Sequence, residues 1–181
     1  MVGVADEGVL YVIVCAAGVA GGVGELVAGA REAGWEVQVV ATPAALEFLD
    51  VVALERLTGR AVRSRYRRPS EPKPPRPGAI IVAPATFNTI NKFAAGIADT
   101  YALGLLAEAP GLGIPVVVLP CVSDALVSRA AYRRSVAELR AEGVRVLSVD
   151  DGGAEGFPWG AAVAALPGMR DSGRRGGRPS R

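Results

Sequence analysis

Hydroxyl and amide side chains gather directly after a short apolar run in the middle of this sequence. Residues 79–83 read Ala-Ile-Ile-Val-Ala, and the run ends at Pro84, which cannot donate a hydrogen bond to a sheet. Thr86, Asn88 and Thr89 follow it and open a helical pattern. A strand that ends where a helix begins is where open α/β sheets bind ligands. The same pattern also fits an ordinary connection in which Thr86 or Asn88 caps the helix.

A glycine-rich stretch near the N-terminus is a second place where chemistry is expected. Residues 16–24 follow an apolar run and precede a helical pattern, so their N–H groups can bind a phosphate. Thr42 follows the next apolar run, which predicts its hydroxyl beside the same loop. The spacing is not G-x-G-x-x-G, so the dinucleotide fingerprint is absent. The glycines also fit close helix–sheet packing, and Thr42 before Pro43 also fits a plain helix start.

The composition argues against several classes of protein. The sequence contains no histidine, which removes the usual general base near neutral pH and the commonest metal ligand, so we expect no metal site. The net charge of +2 is too small to indicate a nucleic-acid partner. No apolar run approaches the ~20 residues of a membrane span. Cys15 and Cys121 end two apolar runs and predict reduced thiols in a cytoplasmic protein.

Five apolar runs alternate with helical patterns along the chain. This alternation predicts an α/β fold, a three-layer Rossmann-like arrangement with a central parallel sheet. The predicted strands are residues 9–15, 35–41, 79–83, 114–119 and 144–149. The predicted helices are residues 23–33, 43–57, 125–142 and a continuous one with Ile90, Phe93, Ala94, Ile97 and Tyr101 on one face. We expect one domain over residues 1–166 and a disordered basic tail over 167–181.

Residues 60–78 interrupt this alternation. A short strand is expected near residues 61–66, and five prolines then fall among the nine residues 69–77. Such a density of proline disfavours helix and central strand and predicts a semi-rigid, solvated loop. Its arginines fit either a solvated face or a site for an anionic substrate.

The order of these parts resembles the FMN-dependent cysteine decarboxylase family over roughly residues 9–150. Residues 83–92, Ala-Pro-Ala-Thr-Phe-Asn-Thr-Ile-Asn-Lys, are similar to the family's Pro-Ala-Ser-Ala-Asn-Thr motif with its following lysine, and residues 96–99 match its Gly-Ile-x-Asp. The resemblance implies FMN as cofactor, a small-molecule or peptide substrate, and a trimer or larger homo-oligomer. The cofactor contacts that it implies are Ala16, Ala17, Gly18, Thr42, Ala85, Thr86, Asn88 and Thr89.

The catalytic elements of that family are missing from this sequence. The family's histidine would fall near Ser70 or Glu71, and its Pro-x-Met-Asn-x-x-Met-Trp clamp aligns with residues 120–127, where Val122 and Ser123 replace Met and Asn. The flap cysteine that the family's phosphopantothenoyl enzymes carry after the last strand is also absent.

The sequence therefore favours flavin binding over the family's known reaction. We expect an FMN-binding flavoprotein with redox or other flavin-dependent activity, either an oxidoreductase or a decarboxylase-like lyase. The alternatives are a cysteine decarboxylase with a rearranged site and a non-catalytic FMN-binding scaffold. The candidate catalytic residues are Asn88, Glu71 and Ser123, with Asp50 and Tyr66 as further candidates for the base.

Overall fold

The computed structural model describes residues 6–148 and 156–166. Five strands form its sheet: β1 (Asp6–Val14), β2 (Glu36–Ala41), β3 (Pro77–Ala85), β4 (Val116–Pro120) and β5 (Arg145–Val146). All paired strands are parallel, and their order is β2-β1-β3-β4-β5. The predicted α/β fold with a central parallel sheet is thus confirmed. In this strand order, β1 and β3 are the neighbours at which the direction of the crossovers reverses.

The helices cover both faces of the sheet and make the fold three-layered. They are α1 (Val23–Glu32), α2 (Val51–Thr58), α3 (Phe87–Ala94), α4 (Tyr101–Glu108), α5 (Asp124–Val127), α6 (Ala130–Ala141) and α7 (Trp159–Ala164), and 3₁₀ turns lie at Ala20–Gly22, Pro43–Phe48 and Pro110–Leu112. On β1, Leu10 and Val12 belong to the core beneath α1 and α7, whereas Tyr11 and Ile13 belong to the core beneath α3, α4 and α6. Because both faces of the sheet are buried, the sequences of the strands are largely apolar.

The prediction of one continuous helix after β3 was wrong. The chain forms α3, turns at Gly96 with φ 66°, and starts again at α4. Thr100 caps the second helix, since its hydroxyl accepts from the N–H of Leu103 at 3.2 Å. Ile97, which was expected on the apolar face, is 44% exposed. A left-handed glycine and a capping threonine thus override the apolar spacing.

Several other boundaries differ from the prediction. The helix expected over 43–57 is a 3₁₀ turn followed by α2, because the carboxylate of Asp50 accepts from the N–H of Ala53 at 2.9 Å and starts a new helix. The helix expected over 125–142 is divided into α5 and α6. The strand expected near 61–66 is reduced to one bridge between Arg63 and Val40.

The strand before the central motif is longer than predicted. It continues through Pro84, because the carbonyl oxygens of Pro84 and Ala85 accept from the N–H groups of Cys15 and Cys121 at 3.2 and 2.8 Å. The α7 helix was not predicted, and the expected tail over 167–181 lies outside the described residues. No helix in the described part of the chain is long and apolar enough to cross a membrane.

The proline-rich segment, residues 64–76, forms neither helix nor regular strand and is called the strap below. The hydroxyl of Tyr11 donates to the carbonyl of Pro75 at 2.7 Å, which ties the strap to the centre of the sheet. Near its start, the ring of Tyr66 meets the ring of Tyr101 edge-on, with centroids 5.2 Å apart. The strap therefore packs on the same face of the sheet as α3, α4 and α6.

Candidate functional site

A cleft of about 930 Å³ opens where β1 and β3 end. It is lined by the loop after β1, the residues after β2, the first turns of α3, the start of α4 and the residues after β4. Ligands of open α/β sheets bind at this kind of position, and the volume is within the usual range for small-molecule sites. The predicted site residues that line this cleft are Ala16, Ala17, Gly18, Thr42, Thr86, Asn88, Thr89 and Ser123.

The loop after β1 offers backbone donors. Among the described residues, the N–H groups of Ala16, Ala17 and Gly18 have no hydrogen-bond acceptor. The carbonyl of Ala17 is used, because it accepts from the N–H of Ala20 at 2.9 Å and closes the turn into α1. Unpaired N–H groups ahead of a helix can bind an anion.

Thr42 lies beside this loop on the neighbouring strand. Its backbone N–H donates to the carbonyl of Val14 at 2.9 Å, which joins the ends of β2 and β1. Thr42 occupies the N-cap position of the turn Pro43–Phe48, but its side chain makes no capping hydrogen bond. The hydroxyl of Thr42 is therefore available to a ligand in the cleft.

The start of α3 has hydroxyl groups that hydrogen-bond to one another instead of capping the helix. The thiol of Cys15 donates to the Oγ1 of Thr89 at 3.2 Å, and the hydroxyls of Thr86 and Thr89 are also 3.2 Å apart. Thr86 is the N-cap residue, yet its side chain makes no capping bond. Burial raises the pKa of the Cys15 thiol, so it stays a neutral donor. Within the described chain, Phe87 and Asn88 have unpaired N–H groups at this helix start.

The far end of the cleft lies beyond β4. Cys121, Val122, Ser123 and Leu126 line it, and burial raises the pKa of the Cys121 thiol. Val122 and Leu126 stand where the resembled family's clamp has its two methionines, and Ser123 stands where that clamp has its asparagine. This end can therefore accept an apolar or flat group more readily than it can bind a carboxylate.

Two of the predicted residues do not line the cleft. Ala85 is fully buried at the end of β3, where it pairs with Pro120. Glu71 lies in the strap, where its carboxylate accepts from Arg65 at 2.8 Å and from the N–H of Arg68 at 3.0 Å. The hydrogen bond from Arg65 lowers the pKa of Glu71, so this carboxylate is a weak base. Neither Asp50 nor Tyr66 is a lining residue.

Sequence reasoning did not propose several residues of the cleft, among them a cation, a hydroxyl and an apolar side chain. Lys92, Thr100 and Leu103 all line it. Lys92 lies four residues after Asn88 on α3, a spacing that places both on one side of a helix, and this signal was present in the sequence. Thr100 and Leu103 follow the turn at Gly96, and the predicted continuous helix concealed their position.

A switch-point cleft with unpaired backbone donors at one end and apolar walls at the other defines a class of α/β protein that binds a phosphorylated, flat cofactor. The chain belongs to the Flavoprotein family, whose model matches residues 7–169. Membership supports a flavin cofactor and confirms the resemblance noted from the sequence.

Solved structures and curated proteins agree with this assignment. The chain is similar to the FMN-dependent cysteine decarboxylase TvaF from thioviridamide biosynthesis, with a TM-score of 0.72, 25% identity, and coverage of 86% of this chain and 93% of that one. It is also similar to the cypemycin decarboxylase CypD, with a TM-score of 0.69, 27% identity, and coverage of 88% and 91%.

The coenzyme A biosynthesis bifunctional protein CoaBC of Escherichia coli (strain K12) is 28% identical over 147 residues. The match covers 75% of this chain and 36% of that protein. The chain therefore spans about a third of the length of this curated relative.

Proposed function

We propose that this chain binds FMN in the switch-point cleft and carries out flavin-dependent redox or related chemistry on a small molecule or a peptide. One observation carries the proposal. The N–H groups of residues 16–18, which have no acceptor within the described chain, and the hydroxyl of Thr42, which makes no capping hydrogen bond, line the same end of the cleft. These are the donors that a phosphate monoester requires.

The residues present fit the two chemically different parts of FMN. At the donor end, backbone N–H groups and a hydroxyl can bind the phosphate, without the side-chain hydroxyls that the resembled family carries in its first loop. Apolar side chains of Leu103, Val122 and Leu126 line other parts of the same cleft and suit a flat ring. Bound flavin supplies a two-electron acceptor, and the chain's residues bind and orient it and exclude water.

Decarboxylation of a cysteine is a second candidate reaction, favoured by the activities named for TvaF and CypD. Against it, the sequence has no histidine, and a general base contributes about 10²–10⁴-fold to such reactions. Of the proposed substitutes, Asn88 and Ser123 line the cleft and Glu71 does not. The second candidate therefore requires a rearranged site.

Self-association into a trimer or larger assembly is also part of the proposal. Phe48 and Val52 are 46% and 57% exposed, and in the sequence they follow the cleft residues Pro43 and Ala44. Large apolar side chains that are exposed in the single chain suit an interface with another protein surface.

The test of FMN binding is the visible absorbance of the purified protein, before and after added FMN. We expect uptake of FMN in preference to riboflavin. Thr42→Val combined with Asn88→Ala should weaken FMN affinity by about tenfold or more, because hydrogen bonds to charged groups are lost. Thr58→Val, outside the cleft, is the matched control and should leave affinity unchanged. A colourless protein that takes up no FMN contradicts the proposal, and a non-catalytic scaffold is then the remaining alternative.

The two reactions are separated by incubating the loaded protein with a peptide that ends in cysteine. Loss of the mass of carbon dioxide identifies decarboxylation. Bleaching of the flavin by a reduced substrate without that mass loss identifies redox chemistry alone.

A further inference from the structure

The turn Ala20–Gly22 joins the loop after β1 to α1, and a tryptophan of α7 packs against it. A Cβ added to Gly22 would lie 3.0 Å from the Nε1 and 3.3 Å from the Cζ2 of Trp159, so the indole touches the backbone of the turn. We infer that Trp159, acting through this turn, positions the loop of residues 16–18 and thereby sets the preference of the cleft for a phosphorylated flavin. The inference rests on the proposed function and adds a residue that governs its specificity.

The loop of residues 16–18 has small side chains that cannot hold it in place. They are two methyl groups and a hydrogen, and they are half-buried or exposed. The loop is instead joined to the turn, because the carbonyl of Ala17 accepts from the N–H of Ala20 at 2.9 Å and the carbonyl of Val19 accepts from that of Gly22 at 3.0 Å. Backbone N–H groups bind a phosphate only within a narrow range of distance and angle. The packing of the turn therefore decides whether these donors are in place.

The indole of Trp159 is itself held firmly. It is buried in the core beneath α1 and α7, together with Ala20 and Val23. The ring of Phe157 meets it edge-on, with centroids 4.6 Å apart, an arrangement that aromatic pairs prefer. In a close-packed core an indole has no space into which it can withdraw. It therefore fixes the distance between α7 and the turn.

The same turn also contacts the segment that follows Thr42. A Cβ added to Gly21 would lie 3.5 Å from the carbonyl oxygen of Phe48, which ends the 3₁₀ turn after Thr42. The turn thus links α7 to both parts of the proposed donor set. Close packing and phosphate binding, the two roles that the sequence allowed for these glycines, are therefore compatible. Trp159 does not line the cleft, so it is a positioning residue and not a contact of the cofactor.

The experiment measures the dissociation constants of FMN and of riboflavin for the full chain, from the quenching of flavin fluorescence. Trp159→Phe removes the atoms that touch Gly22. We expect it to weaken FMN binding about tenfold and to leave the affinity for riboflavin unchanged, because only the phosphate loses its donors. The matched control is Trp35→Phe, at the other end of α1 and in the same core. It also removes buried apolar surface, yet it should keep the wild-type ratio of the two constants.

A second variant changes the same contact from the opposite side. Gly22 has φ −82° and ψ −1°, which alanine adopts without strain, so Gly22→Ala adds only a methyl group against the indole. Alone it should weaken FMN binding, and in the Trp159→Phe background it should restore it, because the methyl group fills the space left by the indole. Gly29→Ala, whose Cβ meets nothing within 4 Å, should change the ratio in neither background. If Trp159→Phe does not fold, Gly22→Ala alone decides.

The other results each have a definite meaning. A ratio that Trp159→Phe and Gly22→Ala both leave unchanged overturns the inference. If the two flavins lose affinity equally, Trp159 only stabilises the fold and the inference is wrong. A wild-type protein that binds FMN and riboflavin equally well also overturns it, while flavin binding itself stands. Failure of the wild-type protein to take up FMN is a different result, which defeats the proposed function and this inference with it.

Discussion

Two cysteines flank the end of β3, each directly after a neighbouring strand. The N–H groups of Cys15 and Cys121 donate to the carbonyls of Pro84 and Ala85, and both residues line the cleft. Burial raises the pKa of both thiols. Their access differs, because Cys15 is 1% exposed and donates to Thr89, whereas Cys121 is half-buried. One thiol is therefore structural, and the other is open to reagents.

Alkylation should distinguish these two thiols. We expect N-ethylmaleimide to modify Cys121 slowly and Cys15 not at all in the native protein, because the reactive thiolate is scarce at neutral pH and Cys15 is enclosed. Saturation with FMN should slow the reaction of Cys121 several-fold, since both would occupy the cleft. Peptide mass spectrometry measures both rates, with the denatured protein as the control in which both cysteines react. Native modification of Cys15 would contradict this placement.

At the scale of elements, the strap packs on the sheet face that also carries α3, α4 and α6. Its start lies on α4, where the hydroxyl of Tyr66 is so close that a Cβ at Gly104 would lie 2.1 Å from it. Its end is held by the hydrogen bond from Tyr11 to Pro75. A glycine within α4 thus provides the space in which the strap docks against a helix that also lines the cleft.

This docking predicts coupling between Gly104 and Tyr66. Alanine in place of a glycine inside a helix normally raises the free energy of unfolding by about 0.5–1 kcal/mol. We expect Gly104→Ala to raise the free energy of unfolding only slightly in the wild-type background, because Tyr66 must leave its position and loses its contact with Tyr101. In a Tyr66→Ala background, the same substitution should show the full gain in urea unfolding.

Gly29→Ala in α1 is the matched control, because a Cβ there meets nothing within 4 Å. Its gain should be the same in both backgrounds. Equal gains for Gly104→Ala in both backgrounds would show that Tyr66 does not dock against α4.

For the whole molecule, the burial of weak acids makes the free energy of unfolding depend on pH in the alkaline range. Burial is the main cause of the raised pKa of Cys15, Tyr11 and Tyr101, although the guanidinium of Arg63 acts in the opposite direction on the two tyrosines. In each case the folded protein retains a proton that the unfolded chain loses. The free energy of unfolding must then fall as pH rises past the unfolded-state pKa values.

We therefore expect stability to be constant near neutral pH and to decrease above about pH 9, first through Cys15 and above about pH 10 through the tyrosines. Urea unfolding at pH 7.5, 9.5 and 10.5 measures this slope. Tyr101→Phe should reduce the loss between the two higher pH values. A stability that is flat up to pH 10.5 would contradict the buried placement of these groups.

Much of the candidate site was predictable because its signals are local. Residues 16–18 and Thr42 follow apolar runs directly, and a residue after a parallel strand must lie at the carboxyl edge of the sheet. The same reasoning could not tell that Ala85 is buried in the strand whereas Thr86 lines the cleft. The strand continues one residue beyond the expected proline, and this extension depends on hydrogen bonds from Cys15 and Cys121, which are distant in sequence.

The sequence by itself determined the class of fold, the family and the edge of the sheet at which a cofactor would bind, because apolar runs, glycine loops and one continuous motif express these directly. Tertiary structure alone decided which residues share the cleft. It buried Ala85, kept Glu71 in an ion pair on the strap, turned the chain at Gly96 after α3, and placed Lys92 in the lining of the same cleft as Thr42. These outcomes depend on strand order and on packing between distant segments, which no local pattern encodes.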